Sequence, residues 1–127
     1  MNTEDIIRTC ELGGGVVATI RDCTRHYFGG YYHVLIKFTA DVPVSDSSFA
    51  VAADFEDALV RLGSTVSFIR TLDKMAVPES EINDVRHKLL ADFDANVLPY
   101  LLRADFVPSF VRSEYRKKLK SVPTFLR

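Results

Sequence analysis

Two groups of residues in this 127-residue chain have types and spacings that could do chemistry. The first is the segment Asp22-Cys23-Thr24-Arg25-His26, which together with Arg21 gathers two guanidiniums, an imidazole, a carboxylate and a thiol. The second is the run Arg112, Arg116, Lys117, Lys118 and Lys120 near the C-terminus. Guanidinium and imidazolium groups bind anions, and an imidazole near a carboxylate can also move protons. The first segment therefore reads as an anion or ligand site built from Arg21, Arg25 and His26. It reads alternatively as a small enzyme or ligand-binding domain centred on Asp22, Arg25 and His26. The second reads as a basic helix face that would meet anions, nucleic acid or an acidic protein.

Neither group belongs to a complete catalytic pattern. The chain has no GxGxxG, GxxxxGK[ST], HExxH or GxSxG, and no EF-hand spacing. Gly13-Gly14-Gly15 lacks the second half of any phosphate-binding fingerprint and reads as a turn. A two-residue turn at Gly29-Gly30 would set His26 opposite His33, which gives two ligands where zinc needs three or four. Asp22 would lie about 13 Å along the strand, and Cys23 would point away. No catalytic residue, cofactor or metal ligand is assigned on these grounds, and the weight falls against an enzyme.

The elements that must position these residues follow from periodicity. Residues 6–12 alternate, and Val16–Phe28 is rich in Val, Thr, Ile and Tyr. In the third run Tyr32, Val34, Ile36, Phe38, Ala40 and Val42 share one face, and Pro43 ends it. The 22–26 segment conflicts with that clean face. A two-residue turn sets Arg21, Cys23 and Arg25 beside Phe38, Ile36 and Val34, whereas a three-residue loop sets Asp22, Thr24 and His26 there. Either register brings polar groups to an apolar face, the signature of a bulge, an edge or a functional site. The aromatics Tyr27, Phe28, Tyr31, Tyr32 and Phe38 interleave with Arg25, His26, His33 and Lys37. The arrangement is similar to a base-stacking sheet, but without an RNP-type consensus the residues read first as core and hairpin-tip packing and next as a protein-contact patch.

Ser45–Ser48 is a cap-rich linker, and a helix follows over residues 49–62 with Gly63 in the C′ position. Residues 65–72 read as a strand, with a helix continuing to Met75 as the alternative. Pro78 opens a helix with Ile82, Val85, Leu89 and Phe93 in its stripe, and Pro99 kinks or ends it near Val97. Tyr100-Leu101-Leu102 reads as a buried connector. Pro108 starts a last helix carrying Val111, Tyr115 and Leu119 on one face and Arg112, Arg116 and Lys120 on another. Residues 122–127 form a fraying tail.

Apolar residues make up 47% and charged residues 26%, with a net charge of −1, which excludes disordered and disulfide-scaffold classes. A chain of this length forms one domain, residues 1–127, and hides roughly two-thirds of its unfolded surface. The net charge hides an asymmetry. Residues 103–127 hold seven basic and two acidic side chains, while the first 102 hold nine basic and 15 acidic. The acidic start interrupted by Arg8 is not a secretory leader, and no apolar run is long enough to span a membrane, so the expected location is cytoplasmic with both cysteines as thiols.

The pattern Asp22-x-Thr24-Arg25, Gly30, the alternating strand with Val34 and Pro43, Val66-x-Phe68, Tyr100-Leu101 and Phe106-x-Pro108-x-Phe110-Val111 resembles a group of uncharacterised small bacterial proteins. The resemblance implies a bacterial single-domain protein and transfers no functional residue. The sequence thus predicts an α+β fold of order β-β-β-α-β-α-α, a mostly antiparallel sheet with helices packed on one face. The expected role is a non-catalytic protein-interaction module with a protein partner or self-association. Weak anion or nucleic-acid binding through the C-terminal basic helix is the alternative, with nucleic acid disfavoured and no membrane contact.

Overall fold

A computed structural model describes residues 5–120 and shows an antiparallel five-stranded sheet with helices, the expected α+β class. The elements are β1 (Asp5–Gly13), β2 (Val16–Asp22), β3 (Arg25–Phe28), β4 (Tyr31–Pro43), α1 (Ala52–Leu62), β5 (Thr65–Pro78), α2 (Ile82–Asp92), α3 (Leu98–Leu101) and α4 (Phe106–Lys120). The second β run is therefore two strands, broken at Cys23-Thr24. The ambiguous stretch after Thr65 is a strand that runs on to Pro78, and Pro78 precedes a 3-10 turn instead of opening the helix. The tail at 122–127 lies outside the described residues. The order within the sheet is β1-β2-β4, with β3 and β5 also pairing β4. Two compact units are formed, residues 5–40 with 68–102 and residues 41–67 with 103–120.

In the first unit the alternation of β4 buries Val34, Ile36, Phe38 and Ala40, and β2 adds Val16, Ala18 and Ile20 from matching positions. Gly13, Gly14 and Gly15, at the turn from β1 to β2, all have positive φ, a run of left-handed backbone that residues with a Cβ resist. The predicted stripe of α2 covers the buried face. Val85 joins Val34 and Val77, flanked by Ile82 and Leu89, and Phe93 stacks on Phe38 with ring centroids 4.2 Å apart. Val77 reaches this cluster because Ala76, at φ +55°, interrupts the alternation of β5 just before it.

Pro99 is accommodated without ending the helical path. Its ring excludes the Ala95 carbonyl and it has no N–H, so the turn before it widens. Residues Phe93–Val97 form a π turn in which the Leu98 N–H donates to the Phe93 carbonyl, and α3 follows. Phe93, Val97 and Leu101 are buried, whereas Tyr100 and Leu102 are exposed, so the 100–102 segment is a helical turn with one buried residue and not a buried connector.

Two ion pairs of opposite sense tie this helix to the sheet. Arg86 of α2 meets Asp22 of β2 at 2.7 Å, and Arg8 of β1 meets Asp94 at 2.7 Å while lying over the Phe93 ring. The hydrogen bond to Asp94 raises the Arg8 pKa above its ordinary value.

In the second unit Val42, Val44, Ser48, Ala58, Val66, Phe106 and Val111 are buried. Helix α1 starts at Ala52 and not at Phe49, because Ser45 caps a 3-10 turn over Asp46–Ser48 by accepting from the Ser47 N–H. Gly63 ends α1 at φ +82°, as the C′ position requires. Helix α4 begins at Phe106, which puts Pro108 inside the first turn, where its missing N–H leaves no bond unmade. Phe49 packs edge-on against Tyr115, whose hydroxyl donates to Asp57 Oδ2 at 2.6 Å, and Arg61 Nε donates to the same oxygen at 2.8 Å.

Truncating Phe93→Ala removes the ring stacked on Phe38 and is expected to lower unfolding free energy by about 3–5 kcal/mol, read by urea denaturation. The Tyr115 and Arg61 hydrogen bonds hold the Asp57 carboxyl below its ordinary 3.8, so that stabilisation is present above that value and lost as pH falls through the lowered pKa. The bond to Asp57 holds the Tyr115 phenol above its ordinary 10.0, so that stabilisation is present below 10.0 and lost as pH rises through the raised pKa. The stability difference between the native chain and Tyr115→Phe should be flat from about pH 5 to about pH 9 and shrink on both sides, measured by denaturation across pH.

Candidate anion-binding face

The geometry of the 21–37 ribbon is set at its tip. Phe28 pairs with Tyr31 across the Gly29-Gly30 turn, in which Gly29 takes φ +56°. Tyr27 has no cross-strand partner, because the register shifts between His26 and Phe28. Below this bulge His26 stands opposite Tyr32, Arg25 opposite His33 and Asp22 opposite Ile36. A two-residue turn followed by a one-residue bulge thus yields the register of a three-residue loop, which decides between the two alternatives.

That register places Asp22 on the face covered by α2, where Arg86 neutralises it. The break between β2 and β3 keeps its hydrogen bonds. Cys23 N–H donates to the Leu35 carbonyl at 2.8 Å, Thr24 N–H donates to Asp22 Oδ1 at 3.0 Å, and Thr24 Oγ1 accepts from the Leu35 N–H at 3.4 Å.

The face of the ribbon turned away from Ile36 and Phe38 carries a ladder of opposed pairs. They are Thr19 with Thr39, Arg21 with Lys37, Arg25 with His33, and Phe28 with Tyr31, and the strand break between the second and third pairs holds the buried Cys23. Arg21 Nη1 donates to Thr39 Oγ1 at 3.0 Å, which holds the guanidinium along the ladder. Arg21 and Lys37 are half-buried and Arg25 is exposed, and among the described residues none of the three makes an ion pair. His33 Nε2 contacts Asp73 Oδ2 of β5 at 2.6 Å. Phe28 is 73% exposed, Tyr27 55% and Tyr31 47%.

The residues singled out from the sequence are therefore separated in part. Arg21 and Arg25 share the ladder face. His26 does not join them, since it contacts the Gly29 carbonyl and sits edge-on to Tyr32 at 5.4 Å. Asp22, Arg25 and His26 do not converge on one point, because Asp22 and Arg25 project from opposite faces. His26 and His33 are not opposed, and among the described residues no three side chains of His, Cys, Asp or Glu gather as a metal-binding group. Cys10 and Cys23 are both thiols.

On α4, Arg112 Nη1 donates to the Ser48 carbonyl at 3.0 Å and so serves the packing of its own unit. Lys117 pairs with Glu114 at 2.9 Å, while Arg116, Lys118 and Lys120 are exposed.

Lys37, named from the sequence only among the cations between the aromatics and not with the anion-site residues, completes the charged rung. Its strand position was legible as polar, but its opposition to Arg21 depends on the Tyr27 bulge. No protein-family model matches the chain, and no curated protein and no solved structure is significantly similar to it.

Proposed function

We propose that the protein is a non-catalytic binding module that takes an anionic partner on the ladder face of β2, β3 and β4. The observation carrying this reading is the rung in which Arg21 and Lys37 stand directly opposite each other without a carboxylate. Like charges in that position destabilise a sheet pair, more so when partly withdrawn from water. The chain holds 17 acidic residues and sets carboxylates against Arg8, Arg61, Arg86, Arg103 and Lys117. An external anion would remove the repulsion that the chain leaves standing at Arg21 and Lys37. Arg25 extends the positive strip, and the hydroxyls of Thr19 and Thr39 border it.

The reading is tested by titrating the protein with fluorescein-labelled heparin dodecasaccharide and labelled polyglutamate at low salt. At least one probe should bind, with affinity falling as salt rises. Arg21→Glu combined with Lys37→Glu should weaken that binding at least tenfold, while Arg116→Glu with Lys120→Glu on α4 should change it less than twofold. Folding of each variant is checked by circular dichroism. The proposal fails if no polyanion binds at low salt, if reversing the rung has no effect, or if the α4 variant carries the loss.

A further inference from the structure

We infer that the anionic partner is a single nucleic-acid strand lying along the ladder face. This inference rests on the binding-module reading above and specifies its partner. An acidic polypeptide would need only the cations. The ladder supplies more than cations, because its tip ends in an aromatic rung.

Phe28 and Tyr31 are directly opposed and largely exposed, and Tyr27 stands out beside them at the bulge. The pair stabilises the hairpin across its strands, yet its rings stay in water, whereas Phe38 is fully buried, so the tip offers unshielded ring faces. Rings of this kind accept the flat faces of unpaired bases, whatever their identity. Arg25 lies four residues along from the Arg21–Lys37 rung, about 13 Å at strand rise, in line with the aromatic rung. A strand stacked on the tip would therefore carry its phosphates over successive cations.

The carboxylates bordering this face do not interrupt that path. Asp73 is held by His33, Glu11 stands at the opposite end on β1 across from Val17, and Asp41, two residues beyond Thr39 on β4, accepts from Ser67 Oγ at 3.0 Å. Stacking without base-edge readout gives little sequence preference, and a duplex, whose bases are already stacked, loses the aromatic contribution.

Fluorescence anisotropy with labelled 12-nucleotide oligo-dT, oligo-dA, the corresponding duplex, and polyglutamate at low salt tests the inference. Both single strands should bind within a few-fold of each other and at least tenfold more tightly than the duplex or polyglutamate. Phe28→Ala with Tyr31→Ala, which truncates exposed rings and should leave the thermal melt unchanged, should weaken single-strand binding about tenfold or more while leaving polyglutamate binding alone. Polyglutamate binding as tight as the single strands, or no effect of the aromatic substitutions, overturns the nucleic-acid inference. The anionic-partner reading survives that result. Failure of every polyanion to bind overturns both.

Discussion

Phe38 and Phe93 lie parallel with their centroids 4.2 Å apart, and both are shielded from water. The arrangement of the first unit depends on this contact. Phe38 is the bulkiest member of the buried stripe on β4, and covering it fixes where α2 and the following π turn must lie. The widened turn absorbs the demands of Pro99 while keeping Phe93 seated. The two oppositely directed ion pairs, Arg86 with Asp22 and Arg8 with Asp94, then constrain the helix on either side of that ring pair. Burial of the rings supplies the affinity between helix and sheet. The charges supply orientation, because reversing or sliding the helix would leave the half-buried Asp22 carboxylate without its Arg86 partner.

The same register that sets Phe38 beside Ile20 determines the opposite face. Strand side chains alternate, so a one-residue slip would exchange the two faces completely. The bulge at Tyr27 therefore has two consequences at once. It puts Asp22 where α2 can neutralise it, and it aligns Arg21 with Lys37 and Arg25 with His33 on the other side. The polar segment that looked like a flaw in the strand is divided between a structural ion pair on one face and a cationic strip on the other.

This division bears on the kind of function the ribbon supports. Acid–base or nucleophilic catalysis needs its groups directed at a shared reacting atom. Asp22, Arg25 and His26 project in ways that prevent this. Recognition of an extended charged partner asks for less, namely like groups repeated along one surface at strand spacing. The ladder has that character, and the exposed rings at its tip add apolar surface next to charge.

Much of the fold was legible in the order of residues. The alternation from Tyr32 to Val42, the glycine turns, the helix stop at Gly63 and the stripe through Ile82, Val85, Leu89 and Phe93 arise from local periodicity and backbone preference, which neighbouring residues alone decide. The candidate residues Arg21 and Arg25 were also visible as cations out of place on a strand. The break at Cys23-Thr24, the bulge at Tyr27, the neutralisation of Asp22 by Arg86 and the opposition of Arg21 to Lys37 were not. Each depends on which residue of a distant segment stands across the sheet or over it, and neither turn composition nor alternation distinguishes registers that differ by one residue. Tertiary packing made that choice, because one register lets Phe38 and its neighbours remain dry while giving the Asp22 carboxylate a cation.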